Sequence, residues 1–527
     1  MQQTPSMTEF DPTIHDDSPS LGTGVLAGMV PSRRGSQTVI SKSIGVTATE
    51  QLLARLCDRT FLKLWSYPNP CREDGKELCD LLVVFGNDVL IFFDRENKRF
   101  ASNPSDVSLA WKRWRKEVID KQIVTAHGAE RYIQKGRPIY LDAKQAEPFP
   151  IPIDLENLRF HKIIVAHGVR DACKNSSPQN VSGSLAISYG PKDAASIDQP
   201  FFVEVDRDNP VHILDTENLD IALNELDTIF DFTAYLDAKS DAIRRHRLLT
   251  YCGEEDVIAH YFRNFDEDNK RHMIGTYDDF DSVHIGEGEW ADFHKGKPYA
   301  RRRAANKTSY LWDRLLQITS NNALKGTLGG NSQPFEGKSA IHFMAKEPRF
   351  SRRGLSDHII KSIQNFPDND KPFVRSVSLM PSFYQGTQYV FLQWKALDDT
   401  HSADELREAR QAMLEIACAA AKLKFPDIVR VIGIAIDAPK FAGETNSEDM
   451  LLMEFDDWTP ERQAHYEEAN AELQFFATSQ MRMTKQTISD FPASLKAKAP
   501  FPKRVKVGRN SPCVCGSGRK SKKCCGR

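Results

Sequence analysis

The chain has 527 residues, of which 40% are hydrophobic and 27% are charged, a composition typical of a soluble globular protein. At roughly 100–200 residues per domain, this length predicts two to four domains. The 70 basic and 72 acidic side chains nearly cancel, but eleven basic residues and no acidic ones lie between Lys496 and Arg527. Subtracting these eleven charges from the net −2 leaves the other 495 residues at −13. An acidic body therefore ends in a basic tail, which suits a negatively charged partner.

Hydropathy and cysteine usage indicate in which cellular compartment the protein lies. A mean hydropathy of −0.48, without any apolar run of about 18 residues, excludes a membrane-spanning helix. The first 31 residues lack the charged and apolar regions of a secretory signal, which predicts a cytoplasmic protein. Four of the ten cysteines fall within the last fifteen residues, whereas a secreted disulfide protein would spread them more evenly.

The first half of the chain predicts an α/β or α+β unit. Residues 1–45 are rich in Ser, Thr, Pro and Gly and are predicted to be disordered. Thr47 to Glu50 fits a capping box at the start of a helix. The turn-forming Gly86-Asn87-Asp88 separates two apolar runs and predicts a β-hairpin. The other elements expected in this unit, residues 46–265, are helices at 107–134 and 219–239 and strands at 139–141, 162–166, 185–189 and 201–205.

A second α/β unit of unknown role is predicted over residues 266–483, after a polar stretch at 266–307 that marks a boundary or a surface excursion. Its expected elements are strands at 341–344, 376–380, 388–394 and 429–436 and helices at 403–423 and 459–476. Residues 484–508 predict a linker. The basic runs Arg301–Arg303 and Arg352-Arg353 are of a kind that usually lies on a solvated face.

Four cysteines in a thirteen-residue window near the end of the chain predict a metal site. Thiolates suit Zn²⁺, which takes four ligands in a tetrahedron, and the cysteines are Cys513, Cys515, Cys524 and Cys525. A tail of about thirty residues is too short to fold by burial alone, so that the metal would supply its stability. The alternatives are a pair of disulfides, which a cytosolic chain disfavours, and free reactive thiols.

These terminal residues resemble the SEC-C motif, the zinc-binding tail of the preprotein translocase ATPase. The resemblance is carried by Arg509-Asn510, Pro512-Cys513, Cys515–Gly518, Lys520 and Lys523–Gly526. It implies structural Zn²⁺, a bacterial cytosol and docking through residues 509–527 to a ribosome, a chaperone or another acidic partner. It covers about 20 residues and does not identify the main activity.

Acidic residues in the first unit follow an order that suits phosphodiester cleavage. Glu50 lies in the first helix, Glu77 and Asp80 begin the first hairpin strand, and the second strand ends with Asp94, Arg95, Glu96 and Lys98. Carboxylates hold Mg²⁺ or Mn²⁺, and a nearby cation offsets the charge that develops during cleavage.

This order resembles the PD-(D/E)xK nucleases, which implies a restriction-endonuclease-like α-β-β-α unit. Glu50 would be the helical acid and Asp80 the hairpin acid. The third element has two registers: Glu96-Asn97-Lys98 fits the letters, whereas Phe93-Asp94-Arg95 fits the strand but places Arg where Lys is expected. The alternative is a surface hairpin with charged ends.

Trp111-Lys-Arg-Trp114-Arg-Lys116 mixes aromatic and basic residues on one predicted helix. The tryptophans would either stack on bases or be buried beneath lysines that extend to solvent. His127 and His167 each precede a glycine, which favours loop or core roles over catalysis.

Two functions follow from these patterns. The first is a metal-dependent nuclease-like protein, with antiviral defence as a further expectation, which carries a docking tail. The second is a non-catalytic adaptor whose zinc tail binds an acidic partner.

Overall fold

The fold is described from a computed structural model. It covers residues 42–95, 100, 104–177, 180, 182–192, 199–276, 281–325, 338–397, 400–441, 448–479, 481–484, 486–492 and 523. Most of the predicted disordered segment, Glu96, Lys98 and the four terminal cysteines lie outside these residues. Within them, no helix is both long enough and apolar enough to cross a bilayer.

The chain is a mixture of helices and strands, which confirms the predicted α/β or α+β class. Up to residue 266 the helices are α1 (Ala48–Trp65), α2 (Val107–Arg115), α3 (Lys121–Gln134), α4 (Arg170–Ser176), α5 (Thr216–Glu225), α6 (Ile229–Arg245) and α7 (Glu254–Arg263). A π-helical segment, Lys116–Asp120, joins α2 to α3. The strands are β1 (Ser66–Pro68), β2 (Cys71–Arg72), β3 (Leu81–Phe85), β4 (Asp88–Arg95), β5 (Ile139–Tyr140), β6 (Arg159–Ala166), β7 (Ala186–Gly190), β8 (Phe202–Asp206), β9 (His212–Leu214), β10 (Leu248–Cys252) and β11 (Phe265–Asp266).

The later elements repeat this alternation. The helices are α8 (Glu289–His294), α9 (Lys297–Leu324), α10 (Ala340–Lys346), α11 (Arg349–Gln364), α12 (Ala403–Lys424) and α13 (Pro460–Leu473). The strands are β12 (Arg271–His272), β13 (Ser282–Ile285), β14 (Phe373–Pro381), β15 (Thr387–Ala396), β16 (Arg430–Asp437) and β17 (Glu448–Glu454).

A five-stranded sheet organises the N-terminal part, in the order β1-β3-β4-β6-β9. The pairs β1/β3 and β3/β4 are antiparallel, whereas β4/β6 and β6/β9 are parallel. The crossover from β4 to β6 runs through α2, the π-helical segment and α3. The strands β4, β6 and β9 therefore all end at the same edge of the sheet, where ligands often bind in α/β proteins.

Two four-stranded sheets, β13-β10-β7-β8 and β14-β15-β16-β17, and two two-stranded sheets, β2-β5 and β11-β12, complete the strand pairing. The β14–β17 sheet packs against α12 through an apolar core around Leu414, Ala417 and Cys418. In the five-stranded sheet, the hairpin residues 81–84 and 89–92 are completely buried, and Phe61 of α1 packs against Phe92.

Several local predictions are confirmed. Thr47 caps α1, with its hydroxyl accepting from the Glu50 backbone N–H while the Glu50 carboxylate accepts from the Thr47 N–H. The hairpin turn lies between β3 and β4 at Gly86, whose φ of +59° suits glycine. The helix expected at 219–239 is instead two helices, because Thr228 caps a new one by accepting from the Asp231 N–H.

Two further predictions are wrong. Residues 341–344 form part of α10 rather than a strand, because the Ser339 side chain caps a helix by accepting from the His342 N–H. The second basic run and the centre of the first do not lie on solvated faces: Arg302, Arg352 and Arg353 are buried, at 1%, 4% and 7% exposure, while Arg301 and Arg303 are partly exposed. The three buried arginines are bonded to carboxylates and backbone carbonyls, which is how proteins accommodate buried guanidinium groups.

Buried ion pairs connect residues on both sides of the predicted boundary at 265/266. Arg302 donates to Glu225, and Arg349 donates to Asp227 over 2.7 Å. The described residues up to Asp490 belong to one compact unit. The division into two α/β units within it stays a prediction. Asp490, inside the predicted linker, is bonded to Arg302 and Arg353.

Candidate active site at the ends of the parallel strands

Asp80 and Asp94 lie side by side at one edge of the five-stranded sheet. Asp80 comes immediately before β3, and its Oδ2 accepts a hydrogen bond of 2.7 Å from the Asp94 backbone N–H. Asp94 lies in β4, opposite Val165 of β6. Asp80 and Asp94 are each only 4% exposed. The structure thus brings together the two acidic residues of the predicted hairpin.

The Asp94 carboxylate is only partly satisfied. Its Oδ1 accepts from the Thr49 hydroxyl at 2.9 Å and contacts His167 Nε2 at 2.9 Å. Its Oδ2 is buried and has no hydrogen-bond partner among the residues that the structure describes. An unpartnered buried carboxylate oxygen costs stability, so its presence points to a ligand at this position.

His167 links Asp94 to the next strand end. It follows β6, and its Nδ1 lies 2.7 Å from the Thr216 hydroxyl at the start of α5. An ionised carboxylate can only accept, so in the neutral ring Nε2–H donates to Asp94 and Nδ1 accepts from Thr216. This chain of hydrogen bonds fixes the orientation of both the ring and the carboxylate.

The helical acid Glu50 lies in an adjoining network. Its Oε2 accepts from the backbone N–H groups of Val46 and Thr47 as part of the α1 cap. The Asn69 side chain donates to both Glu50 and Glu77, while the Asn69 backbone N–H donates to the Asp80 carbonyl. Glu50 therefore supports the site region through its cap and through Asn69.

A second polar network continues along the same edge. Arg170 of α4 donates from Nη2 to both carboxylate oxygens of Asp215, the cap of α5, at 3.0 and 3.1 Å. The same nitrogen donates to the Ser184 hydroxyl at 3.1 Å. Ser184 in turn donates to Glu255 over 2.6 Å. Burial raises the pKa of Glu255 to about 7 and also raises the pKa of Asp215.

No three His, Cys, Asp or Glu side chains converge as a metal-holding group within the described part of the chain. The remaining predicted residues lie outside that part: Glu96 as a magnesium or manganese ligand, Lys98 as the cation for the developing charge, and the four terminal cysteines as zinc ligands. The strand β4 extends through Arg95, so that Asp94 stands on the strand itself.

Sequence reasoning missed His167, Thr49 and Thr216. The residues are 73, 45 and 122 positions from Asp94, and only strand pairing brings His167 to it. The one available signal was the position of His167 directly after an apolar strand, where side chains of α/β proteins meet their ligands.

Comparisons with known proteins concern only the end of the chain. The family model described as the SEC-C motif matches residues 509–527. Protein translocase subunit SecA of Pelotomaculum thermopropionicum is 50% identical over 48 residues, which is 9% of this chain and 5% of that protein. A UPF0225 protein of Vibrio cholerae is 69% identical over 26 residues, 5% of this chain and 17% of that protein.

The chain therefore carries a SEC-C motif at residues 509–527, as its cysteine pattern predicted. The matched segments span a sixth or less of these relatives, so they describe the tail and leave the body without a curated counterpart among them. The comparison with solved structures gave no match.

Proposed function

We propose that this protein is a metal-dependent nuclease whose active site includes Asp80 and Asp94, and that its zinc-binding tail docks it to a partner. The observation that carries the proposal is the buried Asp94 carboxylate beside Asp80, with Oδ2 left without a partner among the described residues. Carboxylate oxygens of this kind are the ligands that Mg²⁺ and Mn²⁺ prefer.

The order of the elements supports a restriction-endonuclease-like unit. A helix, α1, is followed by three antiparallel strands, β1, β3 and β4, by a helical crossover, and by β6 parallel to β4. This order contains the predicted α-β-β-α series and adds one strand at each end of the hairpin-crossover core. Asp80 and Asp94 stand at the ends of the two hairpin strands.

Asp80 and Asp94 would hold the cation, with Glu96 as a further predicted ligand. A bound divalent ion would polarise the phosphate and lower the pKa of water. Thr49 and His167 orient the Asp94 carboxylate so that one oxygen remains available. Lys98 is the predicted cation for the developing charge, with Arg95 as the alternative in the strand register.

A basic surface on the crossover would meet the nucleic-acid backbone. Lys112, Arg115, Lys116 and Lys121 line a groove of about 730 Å³ along α2, the π-helical segment and α3, together with the acidic Asp120. Arg115 pairs with Asp120 and Lys121 with Glu117, so that cations still outnumber acids in this lining. Trp111 and Trp114 are buried, at 2% and 5% exposure, and stack on each other, so they are core residues rather than base-stacking platforms. Contacts through phosphates alone predict binding that is insensitive to sequence and weakens with salt.

Cleavage assays test this proposal. We expect the full-length protein to degrade labelled single-stranded DNA, duplex DNA or RNA with Mg²⁺ or Mn²⁺, and Asp94→Asn to lower the rate at least about 100-fold. The exposed Asp171→Asn on α4 is the matched control and should retain activity. An absence of cleavage of all three substrates with both metals would contradict the nuclease function.

A second candidate function is a non-catalytic adaptor, and the SEC-C motif favours it. The same kind of tail ends relatives that are named as a protein translocase subunit, and here it is strongly basic. Cys513, Cys515, Cys524 and Cys525 would hold one Zn²⁺, because four thiolates make a complete tetrahedral set. The cationic tail would then bind an acidic partner such as a ribosome or a chaperone.

Metal analysis and ribosome co-sedimentation test the tail. We expect one zinc per chain in the wild type and in Cys252→Ser, and no zinc in Cys513→Ser. We also expect the zinc-containing proteins to co-sediment with purified bacterial ribosomes and the zinc-free variant not to do so. Protein without stoichiometric zinc would contradict the zinc site. Cytoplasmic location and antiviral defence stay predictions that belong to this proposal.

A further inference from the structure

A groove of about 280 Å³ lies between α1 and α9, away from the strand-end site. Its α1 side is formed by Arg55, Asp58, Arg59 and Lys63, and its α9 side includes the buried Ser320. The groove is lined mainly by polar and charged side chains, which distinguishes it from an imperfection in apolar packing.

The three cations of this groove stand at four-residue intervals along α1. This spacing places Arg55 and Arg59 on one face of the helix, whereas Lys63 follows the non-helical Leu62 and lines the groove from beyond that interruption. Arg59 is fixed by hydrogen bonds to the Asn224 side chain at 2.7 Å and the Leu223 carbonyl at 3.3 Å. Arg55 and Lys63 form no hydrogen bond or ion pair with any residue that the structure describes. The Arg55 guanidinium therefore remains available to an anion, whereas the Lys63 ammonium also interacts electrostatically with Asp58.

Asp58 is the acid of this lining, and its charge is offset locally. The ammonium groups of Lys42 and Lys63 both interact electrostatically with the Asp58 carboxylate. Lys42 is also bonded to the Ser66 carbonyl at 2.8 Å. With Arg55 and Arg59 added, positive charge prevails in and around the groove.

Ser320 provides an independent indication of a ligand. The residue is 1% exposed and lines the groove, yet its Oγ has no hydrogen-bond partner among the described residues. A serine within a helix ordinarily donates to the carbonyl four residues earlier when it lacks another partner. An unpaired buried hydroxyl facing a polar groove is suited to donate to a ligand oxygen.

Leu62, which also lines the groove, has a strained backbone. Its φ of 63° and ψ of 151° interrupt α1 one residue before Lys63. A branched side chain rarely adopts a positive φ, and such conformations persist mainly where the surrounding structure enforces them, often at binding sites.

We propose that this groove binds a compact phosphate monoester. The phosphate would contact Arg55, Arg59 and Lys63, because a dianionic group with three terminal oxygens matches several cations and a hydroxyl donor at once. Ser320 would donate to one of these oxygens. The amides of Gln317 and Asn321 on α9 would face the remainder of the molecule. The volume lies just below that of drug-sized ligand sites, which favours a small ligand over a dinucleotide.

Calorimetric titration of the full-length protein tests the proposal, with ribose 5-phosphate as the probe and unphosphorylated ribose as the control ligand. We expect one saturable site for ribose 5-phosphate and no binding of ribose. Arg55→Ala combined with Lys63→Ala should weaken binding at least about tenfold, and Ser320→Ala about tenfold. Lys325→Ala, an exposed cation at the end of α9, is the matched control and should bind normally.

Circular dichroism separates a binding defect from unfolding. Ser320→Ala removes a hydroxyl that has no described partner, so its thermal unfolding should match that of the wild type. Absence of saturable binding, or binding that all these variants retain, would overturn the proposal. So would an effect of the variants on oligonucleotide binding alone, since the groove would then belong to a nucleic-acid surface. None of these results depends on cleavage activity.

Discussion

The five-stranded sheet and the β14–β17 sheet each bury an aspartate near the end of a strand, but they surround it differently. Asp449 of β17 is 1% exposed and accepts hydrogen bonds from Arg407, Arg410 and Gln411, each about 2.8 Å long. Asp94 of β4 is 4% exposed and accepts from the Thr49 hydroxyl and His167, with one oxygen unpartnered among the described residues.

The difference separates a structural carboxylate from one that is available for binding. Two guanidinium groups and an amide occupy the oxygens of Asp449, so this side chain has no capacity left for a cation. Asp94 forms no ion pair with an arginine or lysine whose side chain the structure describes, and it retains an acceptor. A buried acid is therefore a functional candidate when one of its carboxylate oxygens has no hydrogen-bond partner. Burial by itself does not make it one.

The largest expected effect is on Asp449. Asp449→Asn would remove the carboxylate that Arg407 and Arg410 share and would leave the buried Arg410, 1% exposed, with Asp437 as its remaining ion-pair partner among the described residues. We expect a loss of about 3–5 kcal/mol in the free energy of unfolding, measured by urea denaturation. Asp457→Asn, at an exposed acid whose ion-pair partner among the described residues is Arg462, is the control and should change little. Equal effects of the two variants would contradict a structural role for Asp449.

Glu255 offers an intermediate case, a buried acid held by a hydroxyl. Its pKa is raised by burial from 4.5 to about 7, so the folded state binds a proton more tightly than the unfolded state. Stability from this group is present below pH 4.5 and is lost as the pH rises to 7. In the wild type, this group should lower the free energy of unfolding as the pH rises from 5 to 8. We expect this decrease to be smaller in Glu255→Gln, by on the order of 2 kcal/mol. An unchanged pH profile would show that Glu255 titrates normally.

The effect on stability should be smaller at Asp94. Asp94→Asn keeps an oxygen for Thr49 and His167 and places its amide nitrogen where Oδ2 had no described partner. We expect the free energy of unfolding to change by less than about 1 kcal/mol, although cleavage is lost. A destabilisation as large as that of Asp449→Asn would mean that Asp94 is a structural residue, and the proposed active site would be abandoned.

The smallest effect is expected when a chelator removes zinc from the tail. The described body folds around apolar cores such as that of the β14–β17 sheet, so its stability does not require the tail. We expect metal analysis to register the loss of zinc while the thermal unfolding midpoint of the body stays within about 1 °C. A large decrease in that midpoint would show that the metal also stabilises the body.

Elements with local signals were predictable from the sequence. The α1 cap needs only Thr47 and Glu50, three residues apart, and the hairpin needs only its turn. Residues 341–344 were misassigned because a short, mainly apolar segment suits a buried strand and a short helix equally, and the deciding contact was the Ser339 cap.

The candidate site was predictable only in part, for a related reason. Asp80 and Asp94 flank one hairpin, so their proximity follows from local sequence. His167 reaches Asp94 through the parallel pairing of β4 with β6, which places residues 73 apart next to each other. The burial of Arg302 likewise depends on partners as distant as Glu225 and Asp490, and a run of three arginines carries no information about them.

The bonds of Asp490 determine where the chain can be shortened. Arg302 and Arg353, both buried, share its carboxylate, and Arg353 also donates to the carbonyls of Ser489 and Asp490. An expression fragment that stops at residue 483, where the composition suggests a linker, would lack Asp490. Both guanidinium groups would then lose this counter-ion. A fragment intended to fold independently should instead extend at least through Asp490.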